Sequence, residues 1–313
     1  MIVVTGGAGF IGSNIVKALN EQGIEDIIVV DNLGSTQKHR NLNGMHIADF
    51  IHKSDLHKHL DRLKGADAIF HEGACSSTTE SDGVYMMENN YEYSKMLLHF
   101  AIDNEIPFLY ASSASVYGDG DNGFTEDRNC EYPLNVYAYS KFQFDNYVRS
   151  IFKKGMPKSQ VLGLRYFNVY GFQENHKGSM ASVPFHFFNQ VNTEGKMKLF
   201  EGSDKFFRDF IFVEDVVKVN MFFYKTAKSG IFNCGTGVER SFTDIAKKFQ
   251  ELSPGAVMET IPFPEHLKGK YQEFTKADTT ALRAAGYEEK FYTLEEGVEK
   301  YYNKLKASFG MHL

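Results

Sequence analysis

The stretch VVTGGAGFIGSN, residues 3–14, decides the fold. Gly7, Gly9 and Gly12 stand in the spacing G-x-G-x-x-G directly after an apolar run and directly before a helical pattern, and Gly6 adds the overlapping series Gly6-x-x-Gly9-x-x-Gly12. A bound dinucleotide needs this composition. One glycine makes the tight turn, one lets backbone amides approach a pyrophosphate, and one allows close packing of helix on strand. The next apolar run, DIIVV, ends in Asp31, about 20 residues on, where a carboxylate can accept hydrogen bonds from an adenosine ribose. The negative charge of Asp31 favours NAD, since it repels a 2'-phosphate. Asn32, Lys38 and Arg40 follow it and Lys53 is close along the chain. Cations that offset Asp31 are therefore at hand, and both NAD and NADP remain open on these residues alone.

Outward from the fingerprint, short apolar runs alternate with helical patterns. MIVV is followed by a helix over 11–22, then DIIVV, ADAIFH, a helix over 84–103, PFLYAS, a helix over 137–152, and VLGLRYFNVYG. Strands separated by helices predict repeated βαβ units and a parallel sheet covered on both faces. The expected fold class is α/β, a Rossmann-type doubly wound sheet. After Gly171 the texture changes to a Phe-rich helix, charged loops and short apolar strands, without a second glycine fingerprint. This predicts a dinucleotide-binding domain over 1–170 and a smaller α/β substrate-binding lobe over 171–313. The segment 209–245, which holds most of RDFIFVEDV and all of GIFNCGTG, is expected to return to the sheet side.

The totals exclude other classes. The 313 residues carry a net charge of −6 and no lysine-rich block, which argues against a nucleic-acid partner. No apolar run approaches the ~20 residues of a membrane span. Met1 runs directly into IVVTGG, with no basic leader or cleavage site, so no signal peptide is expected. Cys75, Cys130 and Cys234 are odd in number and show no C-x-x-C spacing, which argues against a disulfide framework and against a zinc site. The expected location is the cytoplasm, and no metal is expected.

Two segments carry acid-base chemistry. In IPFLYASSASVYG, residues 106–118, Ser112 and Ser113 fall at the carboxyl end of a strand, where ligands bind in this architecture. In NVYAYSKFQFD, residues 135–145, two tyrosines stand near one lysine. A helix turns about 100° per residue, so Tyr137 lies one turn from Lys141 while Tyr139 points to the far side. A tyrosine with a pKa near 10 must be brought to about 7 to act as a base, which requires roughly 4 kcal/mol of preferential stabilisation of the phenolate. The Lys141 ammonium and a cationic nicotinamide are expected to supply it, with Ser113 steadying the substrate oxygen.

TGGAGFIG, YASSASVYG, YAYSK and RDFIFVEDV together resemble the extended short-chain dehydrogenase/reductases that act on nucleotide-linked sugars, over nearly the whole chain. HEGACSSTTE, RYFNVYG running into HKGSMAS, LFEGS and LKGKYQ are most similar to the ADP-L-glycero-D-manno-heptose 6-epimerases. Two departures leave the reactive groups in place: Ala138 stands where a glycine is common, and Ser115 where an alanine is.

The resemblance implies transient oxidation and re-reduction of the heptose C6'' with tightly held NADP, inverting one stereocentre of an ADP-heptose for lipopolysaccharide inner-core synthesis. It implies a second proton handler, Lys177, beside Tyr137, Lys141 and Ser113. It places the cofactor on Gly6, Gly9, Phe10, Ile11, Gly12, Asp31, Asn32, Lys38, Lys53, Glu72, Gly73, Ala74, Cys75, Ser76, Asn89, Lys141, Val169 and Lys177. Asn89 is also suited to pin strand-end geometry near the nicotinamide ribose. The substrate falls on Asn168, Ser179, His186, Phe200, Glu201, Gly202, Ser203, Arg208 and Tyr271, with the Arg208 guanidinium on the diphosphate or else in an ion pair within its Arg-Asp dipeptide. A homo-oligomer, a pentamer, is implied as well. Other nucleotide-sugar epimerases, dehydratases or reductases, and a non-catalytic dinucleotide-binding sensor, are the competing readings.

Overall fold

The apolar runs form strands, and most of them are buried on both faces. The computed structural model describes residues 1–34, 37–265 and 272–308. Its strands are β1 (Ile2–Thr5), β2 (Ile27–Asp31), β3 (Asp49–His52), β4 (Ala68–His71), β5 (Phe108–Ser113), β6 (Val161–Tyr166), β7 (Asn168–Tyr170), β8 (Lys196–Phe200), β9 (Phe207–Phe212), β10 (Gly230–Cys234), β11 (Glu239–Ser241) and β12 (Val257–Ile261). Seven of them make one parallel sheet in the order β10-β6-β5-β4-β1-β2-β3. Side chains alternate across it. Ile2 and Val4 enter one apolar layer and Val3 the other. Because both layers are dry, these strands are apolar throughout instead of alternating with polar residues.

The helices cover both faces. α1 (Phe10–Glu21) begins at the fingerprint. Between β4 and β5, α2 (Gly83–Met86) passes through a π-helical turn, Met87–Glu92, into α3 (Tyr93–Asp103). The helix expected over 84–103 is therefore interrupted by one wide turn. α4 (Val136–Lys154) follows with Asn135 as its N-cap, accepting from the Ala138 amide. α3 and α4 pack on one face of the sheet, while α1 and α6 (Val213–Thr226) pack on the other.

Outside the main sheet, β9 pairs with β7 and β11, and β8 pairs with β12. α5 (Val183–Glu194), α7 (Phe242–Leu252) and α9 (Leu294–Ser308) enclose a third core, where Phe249 meets Phe187 and Tyr302 edge-on. The short α8 (Thr280–Ala284) packs near β10. Within segment 209–245, α6 and β10 join the main sheet, whereas β9 and β11 belong to the three-stranded one.

Two glycines have no substitute at the fingerprint. Gly6 sits at φ +66°, and a Cβ there would lie 2.6 Å from the Gly73 nitrogen; a Cβ on Gly12 would lie 2.2 Å from the Gly6 carbonyl oxygen. The chain thus closes β1, the turn and α1 to backbone contact.

Under β5, β6 and α4 lies a fully buried charge network. The Arg165 Nε donates to Asp145 at 2.9 Å, one of its terminal nitrogens donates to the Tyr117 hydroxyl at 2.9 Å, and the other pairs with Glu131. Asp145 also accepts from Tyr110 at 3.0 Å and Ser112 at 2.9 Å, and Glu131 accepts from Arg149. A buried charge that loses its partner is strongly unfavourable, so Arg165→Met is expected to destabilise the fold by about 3–5 kcal/mol. Urea unfolding measures this, and a wild-type midpoint would show that the network does not carry the fold.

Candidate active site

Strand order reverses at β1, with β2 on one side and β4 on the other, so a crevice opens at their carboxyl ends. Gly6, Gly9, Phe10, Ile11 and Gly12 lie in the turn from β1 into the start of α1, at that end of the sheet. Gly9 is the N-cap of α1, and the first-turn amides of that helix, with the positive end of its dipole, face the crevice end. Glu72, Gly73, Ala74, Cys75 and Ser76 form the loop leaving β4 opposite.

Asp31 at the end of β2 is already engaged. It accepts from the Ala8 amide at 2.8 Å, from the Asn32 amide at 2.6 Å, and from the Lys38 ammonium. Lys53 donates to Asn89 at 2.6 Å, and burial, with the Lys38 charge adding to it, lowers its pKa. The charge that argued against a 2'-phosphate is thus compensated by neighbours in space as well as in sequence.

The adjacent asparagines divide the work expected of one. Asn89 faces Lys53, while buried Asn90 accepts from the Cys75 amide at 2.8 Å and donates to the Cys75 carbonyl at 3.0 Å. Asn90, which the sequence reading passed over, therefore pins the strand-end loop. A directed chain supports it. The Gly73 amide donates to Thr5, Thr5 to His71 Nδ1, His71 Nε2 to Ser94, and Ser94 to the Asn90 carbonyl. Ser94 gives its one proton to the Asn90 carbonyl, so it must accept from His71 Nε2, and in the neutral ring Nδ1 then accepts from Thr5. Burial holds the His71 pKa down at about 3, and the ring stays neutral.

Ser113 ends β5 and Tyr137 stands in the first turn of α4, with the serine hydroxyl beside the phenol. Burial raises the Tyr137 pKa, the neighbouring Ser113 hydroxyl opposes that rise, and the nearby Cys75 adds to it. In the folded chain, Lys141 Nζ donates to the Ala111 carbonyl at 2.7 Å, and no hydrogen bond joins it to Tyr137 among the described residues. Burial lowers the Lys141 pKa to about 8, against the pull of Glu72 and Asp145. Tyr139 points away, 43% exposed, and accepts from Gln143.

Glu72 faces Lys141 electrostatically. One carboxyl oxygen accepts from Tyr166 at 2.9 Å, and the Tyr166 oxygen in turn accepts from Asn220 at 2.9 Å. The other oxygen is buried without a hydrogen-bond partner, although the residue as a whole is partly exposed. Burial raises its pKa to about 7, opposed by Tyr166 and Lys141.

Lys177 reaches the same crevice from a distant segment. Its ammonium lies 5.0 Å from the centre of the Phe10 ring, and burial lowers its pKa against the pull of Glu174. Two residues that local patterns could not reveal hold its loop. Buried Glu174 accepts from the Ser182 amide and hydroxyl, both at 2.6 Å, and from Tyr301 at 3.0 Å. Asn41 donates to the Ala8 and Gln173 carbonyls, both at 3.0 Å, and lies 3.1 Å from His176 Nδ1, joining this loop to the glycine turn.

The expected substrate residues lie farther out. Val169 sits in β7 beside Asn168, whose side chain accepts from Thr275 at 3.3 Å. The ring of His186 faces the Ser179 carbonyl at 3.3 Å. Phe200, Glu201, Gly202 and Ser203 form a turn in which Ser203 donates to the Phe200 carbonyl, so its hydroxyl is engaged in holding the turn. Buried Arg208 donates to the Phe207 carbonyl at 2.9 Å and stands over the Phe242 ring. Its neighbour Asp209 is satisfied instead by Thr236, Gly237 and Ala277. Tyr271 lies outside the described residues. Among the described residues, no group of three His, Cys, Asp or Glu side chains is placed to hold a metal, and no helix is long and apolar enough to cross a membrane.

Comparison with known proteins agrees with this geometry. The chain is 57% identical to an ADP-L-glycero-D-manno-heptose-6-epimerase of Brachyspira hyodysenteriae, over 99% of each chain. The solved ADP-L-glycero-D-manno-heptose-6-epimerase of Helicobacter pylori is 31% identical, superposes with a TM-score of 0.87, and is covered over 96% of its length by 98% of this chain. A UDP-glucose 4-epimerase of Thermotoga maritima is 27% identical with a TM-score of 0.82, covering 98% of this chain and 99% of its own. Residues 2–235 match the sequence profile of the NAD dependent epimerase/dehydratase family, and the chain belongs to that family.

Proposed function

We propose that this protein inverts C6'' of an ADP-heptose, converting ADP-D-glycero-β-D-manno-heptose to the L-glycero epimer with a tightly held NADP. The observation that carries the chemistry is the Ser113 hydroxyl beside the Tyr137 phenol at the carboxyl end of β5, near a turn that only glycines can form. The substrate class follows the Brachyspira relative. The crevice fits a nicotinamide dinucleotide on the chain's own terms. Its backbone approaches too closely for any Cβ at Gly6 or Gly12, and Glu72 offers a buried oxygen that has no partner. NADP is favoured over NAD because Lys38 compensates Asp31 while Lys53 stands nearby.

A nicotinamide held in this crevice would supply reversible hydride acceptance at the sugar carbon. The chain's residues handle the protons. Tyr137, as phenolate, takes the proton of the C6'' hydroxyl, with Ser113 holding the oxygen; Lys141 lies one turn on, fixed to Ala111. Lys177 supplies a proton on the opposite face of the ketone. Its lowered pKa gives a larger neutral fraction, suited to the reverse direction. Tyr137 ends with one proton more and Lys177 with one fewer, and solvent restores both. The sugar undergoes no net redox change. We place the activity in the cytoplasm, in keeping with three unpaired cysteines, and in a homopentamer, with residues 171–313 as the substrate lobe.

Incubation with ADP-D-glycero-D-manno-heptose and no added cofactor is expected to scramble the C6'' configuration by NMR. Unchanged substrate together with turnover of a UDP- or GDP-sugar would redirect the assignment. Lys177→Met is expected to lower the rate by about 100-fold or more while nucleotide stays bound. An active Lys177→Met variant would refute the second proton handler.

Glu72 gives a signed pH effect. The unfolded carboxyl ionises near its ordinary 4.5 and the folded one near 7, so rising pH across that window favours the unfolded chain. For nucleotide-free protein, the melting temperature of Glu72→Gln relative to wild type should climb between pH 4.5 and 7 and then level off. A constant offset across that range would mean that the carboxyl is not enclosed as described.

A further inference from the structure

The segment 172–176 is tied down against the glycine turn. Asn14 donates to the Phe172 carbonyl at 2.9 Å, Ser13 donates to the Gln173 side-chain oxygen at 3.0 Å, and the Gln173 side-chain nitrogen donates to the Asn41 carbonyl at 3.3 Å. Gln173 itself is held at φ +69°, a left-handed backbone that few residues other than glycine adopt. These ties set the ring of His176, a half-buried side chain with no chemical role assigned above. Its Nδ1 lies 3.1 Å from the side-chain nitrogen of Asn41. An amide nitrogen donates and does not accept, so Nδ1 meets it with a lone pair and the ring proton sits on Nε2. Nε2 has no hydrogen-bond partner among the described residues.

The neighbours of the ring show what that donor faces. Asp31, the carboxylate suited to the adenosine ribose, accepts from the Ala8 amide at 2.8 Å and pairs with Lys38. The carbonyl of the same Ala8 accepts from the Asn41 nitrogen that meets His176. The ring therefore borders the ribose edge marked by Asp31 and Lys38, with Lys177 next to it in the chain. Burial, then the charges of Lys38 and Lys177, hold its pKa down at about 4 against the pull of Asp31 and the Gln173 carbonyl, so the imidazole is neutral near pH 7.

We propose that His176 is a specificity-determining residue of the cofactor site, its Nε2–H donating to the 2'-phosphate of NADP. The inference rests on the reading of this crevice as an NADP site. A phosphate offers three strong acceptor oxygens, while Lys38 is shared with Asp31 and Lys53 with Asn89. A neutral ring supplies a further donor without adding a third cation beside Lys38 and Lys177. NAD carries only a hydroxyl at that position, and a hydrogen bond to a charged oxygen is roughly twice as strong as one between neutral groups. The gain falls on NADP.

The test exchanges the bound nucleotide of the purified protein against an equimolar mixture of NADP and NAD, and reads the bound ratio by chromatography. His176→Ala is expected to lower the NADP:NAD ratio about tenfold, the size of one hydrogen bond to a charged group. Its retention of NAD offered alone and its melting temperature should stay at the wild-type values. His176→Gln, whose amide can accept from Asn41 and still donate, should recover most of the preference. An unmoved ratio in His176→Ala, equal weakening of both nucleotides, or a His176→Gln ratio as low as that of His176→Ala would overturn the proposal. A wild-type protein that takes up NAD in preference to NADP, or a ratio unmoved by Lys38→Ala, would instead remove the NADP reading itself, so the two failures are distinguishable.

Discussion

The guanidinium of Arg165, sealed beneath the sheet's carboxyl end, is the constraint on which the reactive geometry depends. A cation without water must be surrounded by acceptors, and here they come from three separate pieces of chain: Asp145 on α4, Glu131 on the approach to α4, and Tyr117 on the turn after β5. Asp145 lies one helical turn beyond Lys141 and two beyond Tyr137. Satisfying Arg165 therefore fixes α4 against β5 in depth and rotation together. Ser113 and Tyr137 meet as a consequence of charges that take no part in their chemistry.

The site is built in the same way at its other end. Lys177 belongs to a segment far from the fingerprint in sequence, and its loop is held by a buried carboxylate and by one asparagine that bonds to both the glycine turn and the loop. The reactive groups are few, but the polar side chains that place them are many and buried. Each has its valences filled locally, which leaves little freedom for the reacting atoms to drift.

How much was legible in the sequence follows from how far each feature reaches along the chain. The fingerprint, the strands of the main sheet and the one-turn spacing of Tyr137 and Lys141 are local, and periodicity reveals them. Asn41 and His176 meet across 135 residues, and nothing near either one announces the other. Asn89 drew attention while its neighbour Asn90 performs the pinning, because a choice between adjacent residues turns on helix phase. The place of Lys141 shows the same limit. Spacing shows that a lysine is one turn away, but only the fold shows that its ammonium is held by the Ala111 carbonyl while burial dominates the phenol.

The wide turn at Met87–Glu92 has a further meaning when the helix is viewed down its axis. In an ordinary helix, steps of four overshoot a full revolution by about 40° each, so a column of three residues drifts by about 80° across its face. Met86, Asn90 and Ser94 are nevertheless all buried, on the side that meets the Cys75 loop and His71. Unwinding by one residue resets the angular count, in the way a leap day realigns a calendar. Downstream, Leu97, Leu98 and Ala101 then point into the core. A single surplus residue lets one helix serve a polar task at its start and an apolar one at its end.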